Sequence, residues 1–336
     1  AASGSAPDWI KKLDGVTVDP KAEEKAQQDA EKEAALKQWR EEKANKKVPI
    51  LLYHHITNEK FSKEQSISLI SPEDFRVHMT AIKVNYTPIS LREYIDYVLC
   101  DDGSKNIPDD SIIVTFDDGY SSNYEIAYPI LKELEIPATI FVVTDTVGEQ
   151  AGGGVVNYSH FTWEQAREME DSGLIEIQSH TAGHVRMTTK ERGEEFRQLR
   201  KSKYEIEKNL GRTCDMIAYP YGDYTSDIKQ MARDSGYKVQ LLVDDKTTEE
   251  DYMVNVPTDG VENLTRMTIA GSMRRMWESL PLKLGFSVWI RRRISPSAWH
   301  RETARSCSRQ RCCRSGTTRR CSPEMRMTMR SMRIHR

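Results

Sequence analysis

A chain of 336 residues has room for one large domain or two ordinary ones. Its formal net charge of −2 hides a division: residues 283–336 carry 15 Lys and Arg against 2 acids, leaving 34 basic and 49 acidic side chains upstream. A body this acidic excludes an electrostatic footprint for nucleic acid, and no apolar run approaches the length of a transmembrane segment.

In chain order, "AASGSAPDW" has the look of a start left by cleavage of a signal or by cloning. Residues 21–46, "KAEEKAQQDAEKEAALKQWREEKANK", are strong helix formers of mixed charge with too few apolar positions for a core. Residues 1–47 are therefore expected to be a charged helical stalk or linker. Folded sequence begins at "VPILLYHHI". Strands are predicted over 49–53, 112–116, 138–143, 174–178, 216–219 and 239–243. Helices are predicted over 72–84, 91–99, 123–134, 163–172, 191–210 and 227–234. Alternation of this kind makes a parallel sheet with crossover helices, and six or more repeats favour a barrel over an open doubly wound sheet. No glycine-rich phosphate loop follows any strand, because "AGGGVV" lacks the lysine of a P-loop. Cys100 and Cys214 have the pattern of lone buried thiols rather than a disulfide framework. From about residue 271 the usage changes: residues 283–336 have 14 Arg to one Lys, against 13 Arg to 21 Lys before them, and no hydrophobic period. This segment, 271–336, is expected to be an out-of-frame, disordered tail that carries no function.

Chemically capable residues fall where strands end, which is where a parallel barrel gathers its catalytic groups. Asp117 and Asp118 close "SIIVTFDDGY", His180 and His184 follow in "SHTAGH", and "AYPYGDY" and "YHH" end two further strands. Asp-Asp-Gly alone is turn chemistry, and H-x-x-x-H alone is a weak signal. Together, one carboxylate and two imidazoles make the facial set of an open catalytic metal site. Two histidines four apart can point the same way from a helical turn, and adjacent residues on an extended chain point opposite ways. One aspartate is thus expected to hold a metal while its neighbour faces water and substrate.

"TFDDGY", "SHTAGH" and "AYPYG", in this order, resemble the NodB-type polysaccharide deacetylases, carbohydrate esterase family four; "FTWEQAREMEDSGLIEIQSH" and "YEIAYPILKELEIPATIFVV" are similar to the same family. The resemblance spans roughly residues 48–270. It implies an α/β fold, a distorted (β/α) barrel of the NodB-homology type, that removes acetyl groups from acetylated sugars. By motif match, Asp118, His180 and His184 would hold a divalent metal, zinc before Co2+, Ni2+ or Fe2+, and Asp117 would be the general base. The backbone N–H of Tyr221 would help stabilise the oxyanion, Pro220 and Gly222 would shape its loop, and Tyr120 could stack on a sugar ring.

Two departures matter. The third motif usually opens with an arginine that pairs with the catalytic aspartate, and Ala218 stands there; the Leu-x-His motif that supplies a general acid is absent. Both features, with the "YHH" strand, resemble the branch of exopolysaccharide poly-N-acetylglucosamine deacetylases. Arg266 in "NLTRMTI" is expected to reach Asp117 from a late strand, and His54 is a candidate for polar duty at the mouth. The leading expectation is a secreted or surface-attached bacterial N-deacetylase acting on acetylated polysaccharide. The alternatives are an O-acetyl xylan esterase and a non-catalytic glycan-binding module.

Overall fold

Runs of branched apolar residues form strands buried on both faces, as a parallel sheet under helices requires. They are β1 (Ile50–Tyr53), β5 (Ser111–Asp118), β6 (Ala138–Val142), β7 (Ile175–Ser179), β8 (Met216–Ala218) and β9 (Val239–Leu241), with two-residue partners β4 (Thr87–Pro88) and β10 (Met267–Thr268). The computed structural model describes residues 20–59, 68–152, 156–243 and 254–269, all within a unit that spans residues 1–276. The first 19 residues and the expected out-of-frame tail lie outside the described residues.

The sheet runs β10-β1-β5-β6-β7-β8-β9, with β4 also on β5, and every pairing is parallel. A separate two-stranded pair, β2 (His55–Ile56) with β3 (Leu69–Ile70), stands at the end of β1. The segment from Leu264 to Ile269 closes the curl. Leu242 N–H donates to the Leu264 carbonyl at 2.8 Å, and Ile269 N–H to the Leu52 carbonyl at 2.8 Å. One short stretch of chain therefore touches both edges of the sheet, and the result is a distorted barrel.

Ile50, Ile113, Phe141, Met216, Val239, Leu241 and Leu264 meet in one buried cluster. Helix α3 (Leu91–Leu99) adds Tyr94, Ile95, Tyr97 and Val98 to it. This helix starts in a capping box, Ser90 with Glu93, and the helix over Trp163–Asp171 in another, Thr162 with Gln165.

Two expectations about helices change. Helix α1 (Pro20–Asn45) is not an exposed stalk throughout. Its C-terminal half docks: Trp39 Nε1–H donates to the Lys105 carbonyl at 2.8 Å, and the indole meets the Tyr97 ring edge-on at 5.8 Å. Buried Lys43 donates to the carbonyls of Val98 and Cys100, at 2.8 and 2.6 Å. A few well-placed long side chains suffice, because their stems cover apolar surface while their heads cap carbonyls. The predicted single helix over 123–134 begins instead as a wide π turn, Asn123–Ala127, before the α-helix Tyr128–Leu134. Pro129 has no N–H to donate back into the preceding turn, so the α ladder cannot run through it.

Candidate active site

Asp117 ends the buried part of β5, and Asp118 turns out of it. Asp118 adopts φ 72°, in the left-handed region, and Gly119 follows at φ 77°, where an added Cβ would lie 3.0 Å from Val142 Cγ1. The expected alternation therefore fails at the second aspartate. A left-handed residue swings its side chain back, so both carboxylates face one imidazole. His180 Nε2 stands 3.7 Å from Asp117 Oδ2 and 3.7 Å from Asp118 Oδ1.

The histidines come together in a different way from the one their spacing suggests. No helical turn joins them; Thr181 (φ 67°) and His184 (φ 50°) both take left-handed backbone and fold the loop on itself. The two rings are 5.1 Å apart, and His184 Nε2 is 3.4 Å from Asp118 Oδ1.

His180 Nδ1 is 2.8 Å from the carbonyl of Ala218. A carbonyl only accepts, so Nδ1 carries the hydrogen and Nε2 turns a lone pair toward the two aspartates. Burial pushes His180 down to about 4 against the pull of Asp117, which keeps the imidazole neutral. One ligand atom each from Asp118, His180 and His184 lie within 4.8 Å of one another, and Asp118 Oδ1 is buried without a hydrogen-bond partner. Two atoms each about 2.1 Å from one ion at a tetrahedral angle stand about 3.4 Å apart, close to the 3.7 and 3.4 Å from Asp118 Oδ1 to His180 and His184. Converging lone pairs with no proton between them repel, and a cation removes that cost. The residues fit a divalent metal.

Asp117 is 1 % exposed and Arg266 2 %. The guanidinium grips the carboxylate with both arms, Nη1 to Oδ1 at 2.6 Å and Nη2 to Oδ2 at 2.8 Å. Its Nε donates to the Leu242 carbonyl at 3.3 Å, and it lies over the Phe141 ring. Burial would raise the Asp117 pKa, but the charge of Arg266 outweighs it and holds the group at about 2. Ala218, where the usual motif has its arginine, is wholly buried in the core cluster.

Tyr221 sits in the turn Pro220–Gly222 with left-handed backbone, φ 61° and ψ 11°. Gly222 follows at φ 62°, and a Cβ there would lie 2.7 Å from the Val243 carbonyl oxygen. The Tyr221 ring is half exposed, 4.7 Å from the His184 ring and under the Arg186 guanidinium at 4.3 Å. Tyr120 is placed differently from a free sugar platform. Burial, and then the Asp118 carboxylate that its hydroxyl bonds, drives its pKa far up. Its ring packs among His55, Tyr158 and His160.

At the end of β1, the His54 carbonyl accepts from Asn123 Nδ2 at 2.8 Å, and His54 Nδ1 is buried without a partner. His55 instead uses Nδ1 on Ser122 Oγ at 2.9 Å, and burial holds it neutral at about 4. Sequence reasoning passed over Ser122, Asn123 and His160. Ser122 and Asn123, the polar pair that leads into the π turn just after "DDGY", were the available signal for the first two.

A family model described as polysaccharide deacetylase matches residues 104–240. YxkH of Bacillus subtilis, which bears the same family name, is 29 % identical over 232 residues, 69 % of this chain and 77 % of its own. A poly-β-1,6-N-acetyl-D-glucosamine N-deacetylase of Staphylococcus aureus is 27 % identical over 220 residues, 61 % of this chain and 73 % of its own. Among solved structures, the Streptococcus pyogenes deacetylase PplD in complex with acetate superposes with a TM-score of 0.56 at 26 % identity, over 68 % of this chain and 94 % of that one. Motifs, barrel and matches agree, and the chain carries a polysaccharide deacetylase domain of the NodB type, the domain of an amide-cleaving hydrolase.

Proposed function

We propose that this chain is a metal-dependent hydrolase that removes N-acetyl groups from N-acetylglucosamine polymers outside the bacterial cell, in exopolysaccharide or cell-wall glycan. The observation that carries the reading is the convergence of Asp118, His180 and His184 beside an ionised Asp117. The polymer is supported by the name of the S. aureus relative, and acetate as product by the molecule bound to PplD. Zinc is the proposed ion, with Co2+, Ni2+ or Fe2+ as alternatives, because a carboxylate and two neutral imidazoles suit borderline-soft divalent metals. When bound, such an ion acidifies a water and polarises the amide carbonyl.

The chain's own residues supply the rest. Arg266 occupies one lone pair on each Asp117 oxygen, which leaves Oδ2 free on the side of His180 to take the water proton. The Tyr221 N–H is assigned to the oxyanion that forms as water adds to the amide carbon. His54 is assigned to protonate the leaving nitrogen, so that the C–N bond breaks to acetate and free amine. Tyr120 orients Asp118, and the exposed Tyr221 ring offers an edge for the sugar, whereas Pro220 is buried and shapes the turn without reaching substrate.

Acetate release from N-acetylglucosamine oligomers and from acetylxylan tests the reading. Turnover on the first, lost on chelation and restored by zinc, is the expected outcome. Turnover on acetylxylan alone would make the protein an O-acetyl esterase, and none on either, with retained glycan binding, would make it a binding module.

A further inference from the structure

Helix α6 (Arg192–Leu210) packs behind the histidine loop with Glu195, Gln198, Leu199, Ser202 and Ile206 buried. Besides Glu195, two of these are polar and one turn apart, Gln198 at 2 % exposure and Ser202 at 0 %, so they lie on one face of the helix. Neither belongs to a motif. Each reaches one end of the loop that runs from Ser179 to His184. Ser202 Oγ is 2.7 Å from Ser179 Oγ, which accepts from Thr181 N–H at 3.2 Å. Gln198 Oε1 accepts from Gly183 N–H at 2.6 Å, and its Nε2 donates to Glu194 Oε1 at 2.8 Å.

The contacts bracket both histidines: one fixes the residues on either side of His180, the other the residue before His184. Between them the loop carries left-handed backbone at Thr181 and at His184, a conformation that non-glycine residues adopt only when their surroundings hold them. The strand side adds the His180 Nδ1–H bond to the Ala218 carbonyl and backbone bonds, His180 N–H to the Val142 carbonyl at 2.8 Å, Thr144 N–H to the Thr181 carbonyl at 3.3 Å and Asp145 N–H to the Ala182 carbonyl at 2.9 Å. Gly183 lies against the Gln198 amide, which a Cβ there would meet in ordinary contact at 3.4 Å.

We infer that Gln198 and Ser202 are positioning residues that set the separation and aim of His180 and His184 and so tune the affinity of the site for its metal. The inference rests on the metal-dependent reading above. Gly183 is exposed, so its N–H can find water when Gln198 is lost. The fold then survives while the loop relaxes.

The test uses the full chain, stripped of metal, and titration with Zn2+ alone, with the Co2+ absorption spectrum reporting ligand geometry. Gln198→Leu is expected to weaken Zn2+ binding about 10- to 100-fold and Ser202→Ala about tenfold. The melting temperature of the metal-free protein should stay within about 2 °C. Exchanging the pair, Glu194→Gln with Gln198→Glu, keeps an acceptor for Gly183 and a donor between the two side chains, and should restore most of the affinity. Zinc affinity unchanged in Gln198→Leu overturns the inference. So does an affinity loss that tracks a collapse of the metal-free fold and is not restored by the exchange. If the unsubstituted chain binds no zinc, the metal-dependent reading fails and the inference with it. If it binds zinc and the leucine variant binds equally well, only the positioning role is lost.

Discussion

Asp117 lies buried with both oxygens in the fork of Arg266, and this pairing decides how each behaves when the other is changed. Removing the cation leaves burial, which favours the neutral acid, as the dominant influence on the carboxylate. Arg266→Met should therefore raise the Asp117 pKa and move the acidic limb of the kcat/KM profile to higher pH, with metal content unchanged. A limb that stays in place would mean that Asp117 is not the group whose ionisation the reaction needs. Asp117→Asn separates base from ligand: an amide cannot take the water proton, so kcat should fall at least about a hundredfold. Metal content by elemental analysis should remain at one per chain, because Asp118, His180 and His184 are untouched. Loss of the metal in this variant would reassign Asp117 as a ligand.

At the scale of elements, the long strands were legible because runs such as "SIIVTF" and "ATIFVV" can only be buried in a sheet, and their boundaries fall within one or two residues of expectation. The two-residue strands β2, β3, β4 and β10 were not, since two residues carry no period. For the site, adjacency in sequence pointed to the two aspartates and the two histidines. The left-handed backbone at Asp118, Thr181 and His184 that brings them together leaves no mark in composition, as none is glycine. Helix α1 shows the same limit. Its composition suggests a stalk, yet Trp39 and Lys43 tie its end to α3 and the loop after it. Trp39→Ala should cost about 2 kcal/mol in urea unfolding, while Gln28→Ala on the exposed first half should stay within about 0.5 kcal/mol. Equal, negligible effects would return the whole helix to the status of a stalk. Helix α2 (Pro72–Asn85) adds a pH dependence. Burial holds its His78 at about 4 despite nearby Asp74, whereas an unfolded histidine titrates near 6.5. A lowered histidine pKa means that the unfolded chain binds the extra proton first. Its contribution is thus complete above about pH 6.5 and lost as pH falls toward 4, on the order of 3 kcal/mol in all. His78→Leu should flatten the fall in stability between pH 6.5 and 5 relative to the parent chain, and an identical fall would assign the proton uptake to other histidines.

For the whole molecule, the closing segment links barrel integrity to chemistry, because Arg266 rides on the stretch that joins the two sheet edges. Leu264 bridges to the β9 side, Met267 and Thr268 pair with β1, and Arg266 between them points inward to an aspartate 149 positions earlier in the chain. Nothing in the local pattern of "NLTRMTI" announces that partner; only the need for a cation beside the base, with Ala218 unable to supply one, singles the arginine out. The segment is held by Asn255, itself nearly buried. Its side chain accepts from Thr265 N–H at 2.8 Å and donates to the Thr265 carbonyl at 2.9 Å, while its backbone exchanges two 2.9 Å hydrogen bonds with Val48. Asn255→Ala keeps the backbone pair but takes these partners from the half-buried N–H and C=O of Thr265, at about 1 kcal/mol each. The neighbouring guanidinium then loses its fixed approach to Asp117. The variant should melt several degrees lower, and at temperatures where it is still folded its acidic limb should shift in the same direction as that of Arg266→Met, by less. In the double variant the two limb shifts should not add, because both act through one contact. Fully additive shifts would show that Asn255 stabilises the barrel without aiming the arginine, and would separate closure from catalysis.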